Sequence, residues 1–183
     1  MNVFLCINLI SIGFCQFEQD IENALDFLQT QKEIIHEELN KYEIDKRLAV
    51  SIIFPELIRY SYLRDYIESA SNEIFYVNWG EGYSNFSIGF FQMKPSFASR
   101  IETHVATNNN FKKYRSLFSY SDSKSSKEKR INRLNRLRDI RWQLRYLSIF
   151  IHIINDFHAD IYLGNQNDLV KFYANCYNSG IWD

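Results

Sequence analysis

Apolar residues recur at helical spacing along much of the chain, and this pattern predicts a mainly helical protein. From Phe17 to about Tyr42, one apolar stripe indicates an amphipathic helix: Ile21, Leu25, Leu28, Ile35 and Leu39. Asp45 is expected to cap a second helix that reaches about Ala70. Pro55 lies inside that helix and should kink or break it, because proline lacks a backbone N–H.

The second half of the chain adds further predicted elements. Residues 71–85 are rich in Gly, Asn and aromatic residues and predict a loop or short strands. Three helices are expected beyond that region: Pro95 to about Thr107, Lys127 to Phe157, and a last helix that begins near Gln166 or Asn167. The predicted fold class is therefore mainly α, with a small loop or β region.

The length and composition fit one globular domain. The chain has 183 residues, of which 46% are hydrophobic and 16% aromatic, so it can bury a substantial core. With 6 glycines and 2 prolines it favours helices over many short strands. The formal net charge of −1 indicates no particular partner. We find no internal repeat and no linker between domains.

The first residues suggest export. Residues 1–15 are mostly apolar, too short to span a membrane, and end with small residues at Gly13 and Cys15, as a cleaved signal peptide does. No Lys or Arg precedes the apolar stretch, and a buried N-terminal helix is the alternative. We favour a signal peptide at 1–15, a single domain at 16–183, and a location in the periplasm, in the cell envelope or outside the cell.

A strongly basic segment runs from Lys112 to Arg145, with 12 Lys or Arg residues. Such a face can bind nucleic acid through phosphates. However, Arg133, Arg136 and Arg141 also fit the solvated face of an amphipathic helix, and we favour that interpretation. No nucleic-acid partner is therefore expected.

The sequence predicts neither a metal site nor a cofactor. His152 and His158 are six residues apart, which matches neither helical neighbours nor a zinc pattern. Without the predicted signal peptide, Cys176 is the one remaining cysteine, so no intrachain disulfide is expected.

Glu56 is the first candidate for chemistry. It follows the apolar run Ile52-Ile53-Phe54-Pro55. An apolar setting disfavours the charged form of a carboxyl group, and so favours the proton that a general acid must hold. A glutamate at a helix kink is nevertheless often a surface residue, and Glu56 alone identifies no function.

The order of three segments along the chain, one of which contains Glu56, is more informative than Glu56 alone. Glu56 comes first, "GFFQMKPSFA" follows from Gly89, and "FYANCYNSG" ends at Gly180. This order resembles the lysozyme-like family of soluble lytic transglycosylases and goose-type lysozymes, over roughly residues 48–180. The positions that match its motifs are Gly89, Phe90, Phe91, Gln92, Pro95, Ala98, Tyr177, Asn178 and Gly180. Pro55 and Phe97 depart from the family pattern, and the basic stretch at about 112–130 looks like an insertion.

The resemblance implies a lysozyme-like α+β fold, a helical bundle around a sugar-binding cleft, with Glu56 as the catalytic residue. It also implies substrate-binding roles for a set of residues near that cleft: Gly89, Phe90, Phe91, Gln92, Tyr177 and Asn178. Gly89 would let a sugar approach the backbone, and Phe90 and Phe91 would point to opposite sides if extended. Tyr177 would orient Glu56 or hold the reacting N-acetyl group.

Two reactions are compatible with the resemblance. In lytic transglycosylases one glutamate cleaves the MurNAc-GlcNAc β-1,4 bond of peptidoglycan without water, whereas goose-type lysozymes hydrolyse it with additional acidic residues. Glu81 matches the first of those acidic positions, but Lys94 replaces the second. We therefore favour lytic cleavage by a monomer acting on peptidoglycan strands, with possible protein partners in the envelope. A non-catalytic glycan-binding module is the rival hypothesis.

Overall fold

The protein is mainly helical, which confirms the predicted class at that level. A computed structural model describes residues 3–60, 62–120, 125–158 and 165–182, and for residues 3–16 and 62–70 it describes the backbone alone. Within these residues the elements are α1 (Val3–Thr30), α2 (Lys32–Lys41), α3 (Lys46–Arg59), α4 (Tyr62–Trp79), α5 (Pro95–Thr107), a 3₁₀-helix (Asn109–Tyr114), α6 (Arg115–Phe118), α7 (Ser126–Arg138), α8 (Ile140–Phe157) and α9 (Gln166–Ser179). The β structure of the described residues is an isolated antiparallel bridge between Ile88 and Met93.

The N-terminal stripe forms two helices rather than one. Gln31 separates α1 from α2, with φ −93° and ψ 7°. Ala24 is buried whereas Leu25 is 53% exposed, so the apolar face is shifted from the predicted one. The side chains of the predicted signal peptide, residues 1–15, lie outside the described residues, and export stays a prediction. None of the described helices is both long and apolar enough to cross a membrane.

Helix α3 begins where the sequence predicts but ends elsewhere. The Asp45 side chain accepts a hydrogen bond from Leu48 N at 2.8 Å, which confirms the cap. Of the kink or break predicted at Pro55, the break is wrong, because α3 passes through this residue to Arg59. The chain instead leaves the helix at Tyr60, whose φ of −67° and ψ of 125° are extended. One missing N–H is tolerated here in a helix with a well-packed face.

The prediction of a loop or short strands at 71–85 is wrong for residues 71–79, which belong to α4. Tertiary contacts explain the difference. Tyr76 is fully buried, and Arg130 of α7 donates to the carbonyl oxygens of Val77 at 2.9 Å and Asn78 at 3.3 Å. A distant side chain thus satisfies the last carbonyls of α4, which local composition does not reveal.

The long helix predicted from Lys127 to Phe157 is divided at Asp139. This residue is extended, with φ −93° and ψ 125°, and ends α7 while its side chain caps α8 by accepting from Trp142 N at 2.9 Å. The prediction that Arg133, Arg136 and Arg141 form a solvated face is also wrong in part. The side chains of Arg133 and Arg136 are only 12% and 13% exposed and point into the protein.

Helix α8 supplies much of the core. Ten of its residues are buried, from Gln143 to Ile154. It packs against α2, α5, α7 and α9, while α3 packs against α1 and α9. The helices predicted at 95–107 and from Gln166 are confirmed as α5 and α9. The segment 88–93 lies against the junction of α7 and α8, and it approaches α9 from the other side.

Candidate functional site

Glu56 is largely buried on the last full turn of α3. The residue is 7% exposed, and its carboxylate receives a hydrogen bond from Arg59 Nη1 at 3.1 Å, three residues later on the same helix. The Arg59 side chain is 67% exposed. The carboxylate is therefore near enough to the surface to meet a solvated cation, and far enough inside to be mostly screened from water.

Tyr177 brings α9 to the same place. Its hydroxyl donates to the carbonyl oxygen of Phe91 at 2.6 Å. Burial raises the pKa of Tyr177 well above its ordinary value, and the negative charge of Glu56 raises it further. Helix α3, which carries Glu56, packs against α9, which carries Tyr177, so the two residues lie on neighbouring helices. The structure thus joins Tyr177 directly to the double-phenylalanine segment and packs the helix of Glu56 against the helix of Tyr177.

The double-phenylalanine segment is a tight turn. Ile88 and Met93 exchange backbone hydrogen bonds of 2.9 and 3.1 Å, and residues 89–92 turn between them. Gly89 and Gln92 both have positive φ, +70° and +50°. The Gln92 side chain donates to Gly89 O at 2.9 Å, so its amide nitrogen holds the turn closed. This bond uses one of the two N–H donors of the Gln92 amide, so a second N–H and the carbonyl oxygen could still meet a ligand.

Gln143 fixes the turn from the opposite side. A β-carbon on Gly89 would lie 1.8 Å from Gln143 Nε2 and 2.7 Å from Leu137 O, so glycine is required for this close approach. Gln143 accepts from Phe91 N at 2.9 Å and donates to Leu137 O. Sequence reasoning missed Gln143, although a lone amide in the apolar face of a long helix is a recognisable signal.

The two phenylalanines have different surroundings. Phe91 is fully buried, whereas Phe90 is partly exposed. The Phe90 ring lies 4.4 Å from the Phe27 ring of α1 and 5.0 Å from the Tyr60 ring, measured between centroids. Phe90 and Phe91 lie in a turn and not in an extended chain, for which opposite side-chain directions were expected. Phe91 nevertheless faces the core. Phe90 remains the candidate for sugar contact.

The remaining motif residues divide between core and surface. Phe97 packs between Phe150 and Tyr177, with ring centroids at 4.9 and 5.3 Å. It thereby supports the Tyr177 ring. Asn178 is exposed, and its amide donates to Ala174 O at 3.0 Å. Its predicted role in substrate binding stays a prediction.

Glu81 lies in a different set of contacts. It follows α4 and forms an ion pair with Arg133, 3.6 Å from Glu81 Oε1 to Arg133 Nη1. Its charge also raises the pKa of Tyr76, after the larger effect of burial. The contacts of the described residues thus connect Glu81 with Arg133 and not with Glu56, and a role beside Glu56 stays a prediction.

A second buried polar group was not predicted from the sequence. The Glu102 carboxylate accepts hydrogen bonds from Arg133 at 2.6 and 3.0 Å and from the hydroxyls of Tyr120 and Tyr146. Burial, together with the Glu102 charge, raises the pKa of both tyrosines. The carboxylate is 8% exposed and has several donors. We interpret this group as structural, because its hydrogen-bonding capacity is largely used internally.

Comparison of the chain with protein-family models, with curated proteins and with solved structures gives no match. Among the described residues, no group of three or more His, Cys, Asp or Glu side chains is arranged to hold a metal ion. The geometry around Glu56 is therefore the basis for a functional proposal.

Proposed function

We propose that this protein cleaves the β-1,4 bond between MurNAc and GlcNAc in peptidoglycan, with Glu56 as the acid and then the base. The observation that supports this most is that Tyr177 binds the 88–93 turn while its helix, α9, packs against α3, which carries Glu56. These are the three segments whose order resembles the lysozyme-like family. The corresponding fold proposal is a lysozyme-like helical bundle whose sugar cleft passes over Glu56.

In the proposed reaction, the Glu56 carboxylic acid donates its proton to the glycosidic oxygen, and the bond from that oxygen to the MurNAc anomeric carbon breaks. The Glu56 carboxylate then takes the proton of the MurNAc C6 hydroxyl. The oxygen of that hydroxyl group bonds to the anomeric carbon at the same time. The products are a 1,6-anhydro end and a free 4-hydroxyl group. No water is consumed, so one carboxyl group suffices.

The remaining residues position the substrate and Glu56. The Tyr177 hydroxyl is bound to Phe91 O, which couples the turn to α9, and α9 packs against the helix of Glu56. The partly exposed Phe90 ring offers an apolar face to a sugar, and the Gln92 carbonyl oxygen offers an acceptor. Arg59, paired with Glu56 at 3.1 Å, places a positive charge beside the carboxylate that forms after the first proton transfer.

Two alternatives remain. Hydrolysis with Glu81 as the second acid is less favoured, because Glu81 pairs with Arg133. A non-catalytic glycan-binding module is favoured by the departures from the family pattern at Pro55 and Phe97, of which Phe97 packs against the Tyr177 ring. Such a module would bind peptidoglycan without releasing soluble products.

The Glu56→Gln variant tests the proposal. It keeps the side-chain shape but removes the transferable proton, so release of muropeptides from purified sacculi should fall by about 100-fold or more. Folding is checked by thermal unfolding. Equal release by Glu56→Gln and wild type would refute the role of Glu56. No release by the wild-type protein despite sacculus binding would favour the non-catalytic module.

Product analysis and a second variant separate the two reactions. Mass spectrometry should find anhydro-muramic ends for lytic cleavage and reducing ends for hydrolysis. Glu81→Gln, in which the Arg133 pair is weakened, should retain release under the lytic proposal. Loss of release in a stably folded Glu81→Gln protein, with reducing ends in the wild-type products, would instead establish the hydrolytic alternative.

A further inference from the structure

Three aromatic rings form an exposed row at the end of α4. Phe75, Trp79 and Tyr83 are 47%, 54% and 72% exposed. Their neighbouring ring centroids are 5.7 and 6.1 Å apart, with interplanar angles of 33° and 45°. We call these three residues the aromatic row. Contiguous exposed apolar surface of this kind marks a binding site more often than isolated exposed side chains do.

The backbone holds the row in place. Phe75 and Trp79 are one helical turn apart on α4, and Tyr83 continues the row because its N–H bonds back to Gly80 O at 3.1 Å. Gly80 has φ +90°, which makes the turn possible. Tyr76, on another face of the helix, is fully buried and accepts a hydrogen bond from Arg133. The helix is thus anchored by one face while it presents the row to solvent.

A basic pocket adjoins the row. It has a volume of about 330 Å³ and is lined by Gly80, Glu81, Ser126, Lys129, Arg130 and Arg133. The charge of Arg133 is compensated by Glu102 and Glu81. Lys129 is exposed, and Arg130 donates to two backbone carbonyls of α4 rather than to a carboxylate. Two cations of this pocket therefore have no carboxylate partner among the described residues.

Gly80 connects the two features. It forms the turn of the aromatic row and also lines the pocket, where a β-carbon on it would lie 3.8 Å from Arg130 Nη1. The row and the pocket are therefore adjacent parts of one surface, made by the end of α4 and the beginning of α7. This surface is separate from the contacts of Glu56 described above.

We propose that the aromatic row and the basic pocket together bind a peptidoglycan strand outside the Glu56 site. Aromatic rings offer flat apolar faces to the C–H faces of successive sugar rings. The Lys129 and Arg130 charges complement the carboxylates of the peptide stems. This inference depends on the proposed function for the identity of the polymer. It adds a second contact that keeps an insoluble substrate attached to the protein.

The charge pattern favours this occupant over nucleic acid. A nucleic acid strand carries one phosphate on every nucleotide and needs a continuous cationic groove. The pocket provides two uncompensated cations, and Glu81 lines it as well. A polymer with neutral sugar rings and separated carboxylates meets less repulsion from Glu81 than a nucleic acid strand does. Its sugar rings can also pack against the three aromatic rings of the row.

Binding to purified sacculi tests the inference without turnover. We would measure dissociation constants by co-sedimentation in the Glu56→Gln background and compare Trp79→Ala, Lys129→Glu and the control Leu25→Ala. Leu25 is 53% exposed on α1 and outside the row. Trp79→Ala and Lys129→Glu should each weaken binding by about tenfold, as expected for central contacts of a binding surface. Leu25→Ala should leave binding unchanged.

Chitin separates the two contributions, because it has similar sugar rings and no carboxylates. Trp79→Ala should weaken chitin binding, whereas Lys129→Glu should not. Unchanged sacculus binding in both variants would overturn the inference. The inference would also be overturned if sacculus binding did not depend on Trp79 but binding to another partner did. The partners to test are anionic lipid vesicles, single-stranded DNA and a second copy of the chain.

The two proposals fail in different ways. If the wild-type protein binds sacculi through Trp79 but releases nothing, the inference is supported and the cleavage proposal fails. If wild-type protein releases muropeptides and Trp79→Ala binds and cleaves as the wild type does, the cleavage proposal is supported and the inference fails.

Discussion

The hydroxyl of Tyr177 donates to the carbonyl oxygen of Phe91 at 2.6 Å, and this hydrogen bond joins α9 to the turn at 88–93. The two residues are 86 positions apart in the chain. The same turn is held on its other side by Gln143, which accepts from Phe91 N. Both polar atoms of the Phe91 backbone are thus bound by side chains from separate helices.

Removing the Tyr177 hydroxyl tests this relationship. Tyr177→Phe leaves Phe91 O without its donor and should lower the free energy of unfolding by about 1–3 kcal/mol. Muropeptide release should fall by more than the loss of folded protein explains, because the turn beside Glu56 loses its connection to α9. Chemical unfolding and product release are the two measurements.

Tyr173→Phe is the matched control for that variant. Tyr173 lies on the same helix and donates to Asn155 Oδ1, away from the 88–93 turn. The Tyr173→Phe protein should lose stability to a similar extent, while muropeptide release per folded molecule stays unchanged. Equal effects of the two substitutions on release would mean that the Tyr177 hydroxyl contributes to stability alone.

Gly89→Ala should be among the most damaging single-methyl additions in this chain. The new methyl group would overlap Gln143 and Leu137 O at a residue with φ +70°. Backbone strain and overpacking together should cost about 3 kcal/mol. Gly82→Ala is the control, since a methyl group there would have no neighbour within 4 Å among the described residues. Thermal unfolding that shows the same small loss for both variants would contradict the close packing of Gly89.

Glu102→Gln should destabilise the protein strongly. Burial acts to lower the pKa of Arg133, and the hydrogen bond and charge of Glu102 raise it. The substitution removes that charge from beside a largely buried guanidinium group. Breaking one partner of a buried pair costs about 3–5 kcal/mol. Glu73→Gln, which removes the surface ion pair with Arg138, should cost much less. Urea unfolding of both variants measures the difference, and equal losses would contradict the buried network.

Acid should weaken the contact between α2 and α8. Hydrogen bonds from Lys41 and Arg141 lower the pKa of Glu37 from 4.5 to about 2. Burial acts to raise the pKa of Glu38, but hydrogen bonds from Arg145, Arg141 and Lys41 lower it overall. The native state therefore binds fewer protons than the unfolded state, and stability present above pH 4.5 should be lost as the pH falls towards 2.

Urea unfolding at a series of pH values measures this loss. Glu37→Gln should reduce the pH dependence in that window, because the substituted side chain no longer titrates. High salt should have the same effect, since the Glu37 pair is exposed. A Glu37→Gln protein with the wild-type pH dependence would show that other carboxylates cause the acid sensitivity.

Most helices could be predicted from the sequence because each buries an apolar stripe. Pro95 and Asn165 mark the starts of α5 and α9 as their residue types suggest. The end of α4 was missed because its last carbonyls are satisfied by Arg130, 52 residues further on. The division at Asp139 was available from the sequence, since aspartate before an apolar run is a strong capping signal.

The candidate site could be predicted only as a set of residues. Glu56, the segment that begins at Gly89 and Tyr177 were proposed from their order along the chain, and the structure shows how Tyr177 contacts Phe91. The inward direction of Arg133 was not predictable, because its partner Glu102 lies on another helix. A run of arginines on a helix gives no indication of which of them meet a buried carboxylate.

Asp139 sets the rotational phase between α7 and α8. A helix turns by about 100° per residue, so inserting one residue at this joint would rotate the two helices relative to each other. Arg133 lies before the joint and Gln143 after it, and each holds a different buried partner, Glu102 and Phe91. The number of residues from 133 to 143 is therefore constrained by both partners at once, although the joint itself is on the surface.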